Sequence, residues 1–193
     1  MNVNYFFQQS LFVIRFRYFK KGYDFFYVNW LRLGGMKIGK GTYFSKIEVT
    51  WPHKVTIGDN CRLEHNIYFH YDGIYSDGPS ICIGDNVFIG NNTEFNITDK
   101  ITIGENCLIA SGCKFVDHSH GFKFGKLIKT QKSSKQAITI GSDVWLGCNV
   151  VVLKGVTIGN GVVVGAGAVV TKSIPENEIW GGVPAKKMAD RKL

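Results

Sequence analysis

The sequence predicts a mainly β protein built as a parallel β-helix, and three observations carry that expectation. The first is a six-residue period that runs without a break from Ile140 to Pro175: I-G-S-D-V-W, L-G-C-N-V-V, V-L-K-G-V-T, I-G-N-G-V-V, V-G-A-G-A-V, V-T-K-S-I-P. Six residues match neither the turn of an amphipathic helix nor the two-residue alternation of a half-buried strand. They match short strands stacked coil on coil, with one aliphatic side chain in six pointing inward and a small residue after it turning the corner. The second observation is the same beat, interrupted, in the preceding hundred residues. Its leads are Ile38, Phe44 and Thr50, then Ile57, Leu63 and Phe69, then Ile83, Ile89 and Phe95, then Ile103, Ile109 and Phe115. With Ile140, Leu146, Val152, Ile158, Val164 and Val170 they make six coils of three, a stack of roughly 29 Å at about 4.8 Å per coil. The third observation is where the beat fails. It slips by a residue or two at 50–57 and 95–103, and opens into longer excursions at 70–82 and 116–139. Insertions in a repeat of this kind gather on one face, often the functional one.

Length and composition agree with one domain: 193 residues lie within single-domain range. The expected organisation is a basic aromatic cap over 1–37, the β-helix over 38–175, and a short C-terminal helix or tail over 176–193. The five cysteines (Cys61, Cys82, Cys107, Cys113, Cys148) are odd in number, lack a metal-like C-x-x-C spacing and fall inside the repeat. They read as packed thiols in a reducing compartment. No apolar run approaches a membrane span, and the N-terminus lacks the features of a secretory leader. The expected location is the cytoplasm, with a peripheral position at the inner face of the membrane left open.

That alternative comes from the first 37 residues. They carry Arg15, Arg17, Lys20, Lys21, Arg32 and Lys37 against Asp24 alone, which accounts for +5 of the chain's net +8. They also hold twelve aromatic residues, of which Phe12, Phe16, Phe19 and Tyr23 follow helical spacing. One reading is a helical cap that covers the open strand edges of the first coil. The other is a basic aromatic helix resting on an anionic membrane through residues 1–30. Nucleic-acid binding is not expected, because no recognition motif accompanies the basic residues.

The hexapeptide run, the V-D-H-S-H-G at 116–121 and the G-G-V-P-A at 181–185 together resemble the hexapeptide-repeat acyltransferases. Most similar is the branch of galactoside and maltose acetyltransferases, with relatives that O-acetylate surface polysaccharides. The resemblance covers about 38–190. It implies a left-handed β-helix, an exception to the usual hand of parallel crossovers. It further implies acetyl-CoA as acyl donor, a sugar or glycan acceptor, and a homotrimer with its active sites between subunits.

Acetyl transfer from a thioester to a hydroxyl needs a base at the acceptor oxygen, a donor for the oxyanion, and both substrates held in line. A neutral histidine suits the base role. His53 and His65 read as edge residues, and His70 opens the first excursion. His118 and His120 begin the second. His120 lies five residues beyond the lead Phe115, the offset at which the resemblance places the catalytic histidine. His118 is the rival base, and His118 or Asp117 is a candidate to orient the ring. The pair does not suggest a metal site, because no further ligands stand at useful spacing. On the donor side, the resemblance assigns Trp145 to the border of the pantetheine channel. Cys148 stands where the sugar enzymes carry serine, and Ala166 is the small residue that lets the cofactor lie against the backbone. Thr171 and Lys172 fall near the adenine and phosphate end, and Ala185, Lys186 and Lys187 follow the G-x-P turn as phosphate partners. A tight coil would need Gly165, Ala166 and Gly167 without any ligand.

The acceptor side departs from the galactoside pattern. Gly90 stands where that branch has an acceptor-contacting asparagine; Asn91 and Asn92 follow it and Asn96 is near. Asp72 and Asp77 in the first excursion are candidates for sugar hydroxyls or for turns before Gly73 and Gly78. The second excursion carries five lysines (Lys123, Lys126, Lys129, Lys132, Lys135), with no acid from His118 to Ser142, which suits an anionic ligand or a solvated loop. The reading that follows is an acetyl-CoA-dependent O-acetyltransferase acting directly on a sugar hydroxyl. N-acetylation of an amino sugar nucleotide, acetylation of an antibiotic and a non-catalytic scaffold remain as alternatives.

Overall fold

The computed structural model describes residues 3–15, 20–44 and 46–192. Short parallel strands stack into a left-handed β-helix whose cross-section is a triangle. The first sheet joins Lys37–Ile38, Val55–Ile57, Ile81–Ile83, Ile101–Ile103, Ile138–Ile140 and Thr157–Ile158. The second passes through Phe44, Leu63, Ile89, Ile109, Leu146 and Val164, and the third through Phe69, Phe95, Phe115, Val152 and Val170. A bridge from Ile158 to Ile174 and the pair Val164–Trp180 begin a seventh turn.

The hexapeptide leads occupy the same rung position on successive coils because each coil hydrogen-bonds in register to the next. One lead is different. In the first coil three residues separate the second-sheet strand Tyr43–Phe44 from the third-sheet strand Glu48–Val49, where later coils have four. Val49 therefore pairs with Phe69 and takes the position expected of Thr50. The Thr50 hydroxyl instead accepts from the Tyr71 N–H at 2.9 Å.

The interior is a set of like-on-like columns. Phe69, Phe95 and Phe115 stack with ring centroids 4.9 Å apart at each step, the spacing of adjacent strands. Cys61, Cys107 and Cys113 are buried, and their thiols donate to the carbonyls of Gly84, Gly141 and Gly147 in the next coil. Burial pushes all three thiols up, Cys113 to about 11. Cys82 is half-buried, and Cys148 is exposed rather than packed. The first and second corners turn through left-handed residues, mostly Asn or Gly, such as Asn60, Asn86 and Asn106 on one edge and Asn66, Asn92 and Asn149 on the other. Asparagine tolerates this region better than other side chains that carry a Cβ.

Every length variation beyond that single residue lies on the third corner, between the third sheet and the first. Both excursions leave from this edge. The first is tied down by the buried Lys54, whose Nζ donates to the Asp77 carbonyl at 3.1 Å and lies 4.7 Å from the Tyr71 ring.

The N-terminal segment divides. Helix α2 (Lys20–Leu33) covers the first coil: Leu31 and Met36 are buried, and the Tyr27 hydroxyl donates to the Ile47 carbonyl at 2.6 Å. Helix α1 (Val3–Val13) leaves Tyr5, Phe6, Phe7, Leu11 and Phe12 more than half exposed. Of the expected aromatic stripe, Phe16 and Phe19 lie outside the described residues. Among those residues no helix is long and apolar enough to cross a membrane. The C-terminus is an extended tail: Lys186–Asp190 folds back antiparallel on Glu178–Gly181 and extends the second sheet to eight strands.

Phe95 lies at 0% exposure between two other rings. Phe95→Ala is expected to cost about 3–5 kcal/mol, measured by denaturant unfolding. A loss under about 1 kcal/mol would show that the aromatic column is not part of the packed core.

Candidate active site

The second excursion begins as a hairpin. His118–Ser119 pairs antiparallel with Ser134–Lys135, and its root is Asp117. That carboxylate is fully buried and accepts from the Thr98 N–H at 2.8 Å, the Thr98 hydroxyl at 3.1 Å and the Asp99 N–H at 2.6 Å. The Asp117 carbonyl accepts from the Gln136 N–H at 2.8 Å. Asp117 thus fastens the outgoing and returning strands of the excursion to the preceding coil. A buried carboxylate needs such donors, because an unpaired charge would be costly there.

His118 lies with Nδ1 3.2 Å from Asp117 Oδ1 and its side chain 17% exposed. A neutral ring donates its Nδ1 proton to the carboxylate, which leaves Nε2 as the acceptor, the arrangement a triad uses to orient a base. His120 is exposed two residues further along the chain and makes no side-chain hydrogen bond among the described residues. The structure therefore differentiates the two: one histidine is held by a carboxylate, the other projects from the excursion.

Between them sits a clamp. Lys154, at the third corner of the next coil, donates from Nζ to Ser119 Oγ at 2.6 Å and to Ser134 Oγ, and the two hydroxyls are 3.3 Å apart. Lys135 reaches back to the Thr98 carbonyl at 3.3 Å. Sequence reasoning missed Lys154, because a lysine at a corner carries the same signal whether it is solvated or clamped. Further out, Gln131 ties the loop by accepting from the Lys123 N–H at 2.7 Å and donating to the Lys123 and Lys126 carbonyls. Phe122, Phe124, Leu127 and Ile128 are exposed at the tip beside the lysines.

The donor-side residues divide between two edges. Trp145 is 52% exposed on the second sheet, in register with Leu108 and Val163. Cys148 and Ala166 are exposed at the second corner, where the Gly167 N–H donates to the Cys148 carbonyl at 2.8 Å. This corner is close-packed: a Cβ on Gly147 would meet the Ala166 nitrogen at 2.6 Å. The Ala166 N–H has no main-chain partner among the described residues. The 182–185 turn closes over the end of the stack through Val169 N–H to Gly182 O and Ala185 N–H to Val169 O, which brings the nine-tenths-buried Ala185 beside that corner.

Thr171 and Lys172 are exposed on the third edge, below the excursion. Lys186 is exposed, whereas Lys187 is engaged: its Nζ lies 2.6 Å from both Glu178 and Asp190. Lys187 holds the Glu178 carboxyl below its ordinary value, helped by the Trp180 indole N–H at 2.7 Å. That lysine serves the tail hairpin first.

The acceptor candidates do not converge in one chain. Asn92 is a corner residue at φ +57° whose carboxamide oxygen accepts from Asn66. Asn91 donates its N–H to Glu64. Both are on the second edge, while the exposed Asp72 and Asp77 are on the third. Among the described residues no group of three or more His, Cys, Asp or Glu side chains is arranged to hold a metal ion.

Residues 137–172 match the family model described as bacterial transferase hexapeptide (six repeats), and 80–113 match the hexapeptide repeat of succinyl-transferase. The chain is 46% identical over 154 residues to the putative lipopolysaccharide biosynthesis O-acetyl transferase WbbJ of Escherichia coli, covering 66% of this chain and 78% of that protein. It is 38% identical over 131 residues to the galactoside O-acetyltransferase of the same organism, covering 68% of this chain but spanning only 61% of that relative's length. The chain belongs to the hexapeptide-repeat acyltransferase family. Among solved structures, a hexapeptide-repeat acetyltransferase from Vibrio cholerae superposes with a TM-score of 0.58 at 25% identity, over 84% of this chain and 78% of that one. AntD, an N-acyltransferase from Bacillus cereus solved with dTDP and 3-hydroxybutyryl-CoA, gives 0.74 at 22% identity over 83% and 86%, a likeness of fold.

Proposed function

We propose that this protein transfers an acetyl group from acetyl-CoA to a sugar hydroxyl, on a surface polysaccharide or its precursor. The single observation that carries the reading is the hairpin at the third corner, which presents His118 and His120 from a root fixed by the buried Asp117. One relative named a galactoside O-acetyltransferase and one named a putative lipopolysaccharide biosynthesis O-acetyl transferase support acetyl transfer and the acceptor class.

In this account His120 removes the proton of the acceptor hydroxyl as its oxygen attacks the thioester carbonyl. A backbone N–H stabilises the oxyanion; the unengaged Ala166 N–H on the donor edge has the chemistry for it. The tetrahedral intermediate collapses, the C–S bond breaks, and the CoA thiolate takes up the proton held by the imidazolium. Transfer is direct, so no serine or cysteine nucleophile is needed, and Cys148 serves as a wall. His118, held by Asp117, orients the acceptor or the neighbouring ring. Trp145, Cys148, Ala166 and Ala185 border the pantetheine arm, and Thr171, Lys172 and Lys186 face the phosphate end.

The functional unit in this reading is a homotrimer. Its support is the division of the candidates: the histidines stand on the third edge and Cys148 and Ala166 on the second, with the third sheet between them. A neighbouring copy turned about a common axis brings the second edge of one chain against the third edge of the next.

His120→Ala is expected to lower kcat by about 10²–10⁴-fold with little change in KM for acetyl-CoA, and His118→Ala to cause a smaller loss. The reverse order in steady-state kinetics would exchange the two roles. The exposed aromatic residues of α1, followed in the chain by the basic residues between Arg15 and Lys37, support a peripheral contact with an anionic membrane. Deleting residues 1–30 is expected to abolish co-sedimentation with phosphatidylglycerol vesicles; unchanged co-sedimentation would remove this role.

A further inference from the structure

The outer face of the third sheet changes character along the stack. Side chains alternate inward and outward along a strand, and the buried Phe69, Phe95 and Phe115 fix which residues point out. Coils two and three present Tyr68, His70, Glu94 and Asn96, while coils five and six present Val151, Leu153 and Val169. The fourth coil, which carries the histidine hairpin, is the junction. The apolar half lies between the donor candidates Cys148 and Ala166 on one edge and Thr171 and Lys172 on the other. The polar half lies on the opposite side of the junction.

The polar half is organised rather than merely hydrophilic. Tyr68 and His70 are tilted rings 5.2 Å apart, with the Tyr68 hydroxyl 2.8 Å from His70 Nδ1. That bond fixes the imidazole and leaves Nε2 unengaged among the described residues. Asn96 is the in-register neighbour of His70 on the next rung, about 4.8 Å away. Its carboxamide makes no side-chain hydrogen bond among the described residues, although it is half-buried. Glu94 is neutralised by Lys114 at 2.8 Å. The strip therefore offers an imidazole nitrogen, donor or acceptor according to its tautomer, and a carboxamide that both donates and accepts, and Val116 continues their column toward the hairpin.

We infer that His70 and Asn96 form the acceptor subsite, hydrogen-bonding two non-reacting hydroxyls of a pyranose ring whose reacting hydroxyl faces His118 and His120. Tyr68 is a positioning residue that holds the His70 ring. The inference rests on the transferase reading and adds the acceptor's location and the neutral, polyhydroxylated chemistry it must have. It also moves the acceptor contacts from Asn91 and Asn92, which serve the second corner, to the third sheet.

The test uses the full chain and a panel of methyl hexopyranosides, taking the best acetylated member as acceptor. His70→Ala and Asn96→Ala are each expected to raise KM for the glycoside about five- to tenfold, the scale of one lost hydrogen bond. KM for acetyl-CoA and the oligomeric mass should stay unchanged, and Tyr68→Phe should give a smaller rise of the same kind. Unchanged glycoside KM in both alanine variants overturns the subsite. Loss of oligomeric mass with equal loss toward both substrates also overturns it, since the strip would then be a packing surface between copies. Absence of transfer by the unmodified chain to every glycoside, with acetyl-CoA still bound, overturns the subsite while sparing the donor half of the reading. Absence of acetyl-CoA binding overturns both.

Discussion

The hydrogen bond from each coil to the next is the constraint on which the rest of the molecule depends. It fixes the coil rise at the strand spacing of about 4.8 Å, so whatever occupies one rung must tolerate a like residue directly above and below. The 4.9 Å stack of Phe69, Phe95 and Phe115 satisfies that demand with rings, and the thiol-to-carbonyl bonds of Cys61, Cys107 and Cys113 satisfy it with small polar groups. The left-handed asparagines and glycines at two corners satisfy it with backbone. Two of the three edges are thereby held to nearly constant length, and chain that does not belong to the coil can leave only at the third. The histidine hairpin and the Lys54-anchored excursion share an edge for this reason. The stack also gives the hairpin a fixed floor: Asp117 and Lys154 tie it to coils held in register by those bonds.

The fold was legible in the sequence because a repeat broadcasts its own register: once the period is known, each lead predicts a buried position, and nearly all of them are buried. Two leads of the first coil depart from this: Ile38 is half-buried and Thr50 is exposed, and the second is instructive. Thr50 keeps the six-residue count from Phe44, but the second corner of the first coil is a residue short, and a period carries no information about which corner absorbs a deletion. The N-terminus was ambiguous for a different reason. A basic aromatic composition suits a cap and a membrane contact alike, and α2 takes the first role while α1 is left exposed.

The candidate site was legible where chemistry demands a rare residue type in a marked place, as with His118 and His120 at the break of the beat. It was illegible where function rests on pairing. Lys187 reads as a free phosphate partner until the tail folds back and sets Glu178 and Asp190 against it. Lys154 reads as a solvated corner until the hairpin lays Ser119 and Ser134 on its ammonium. Asn91 and Asn92 stand beside the expected asparagine position in the chain, yet their corner geometry engages them; Asn96 emerges only when register sets it beside His70.

The measurement that bears most directly on this account is calorimetric titration of acetyl-CoA into the purified protein, with its mass in solution determined in the same buffer. The account predicts saturable binding of one acetyl-CoA per chain to a trimer. A trimer that binds no acetyl-CoA at millimolar concentration would contradict it and leave a β-helix scaffold whose histidine hairpin serves another purpose.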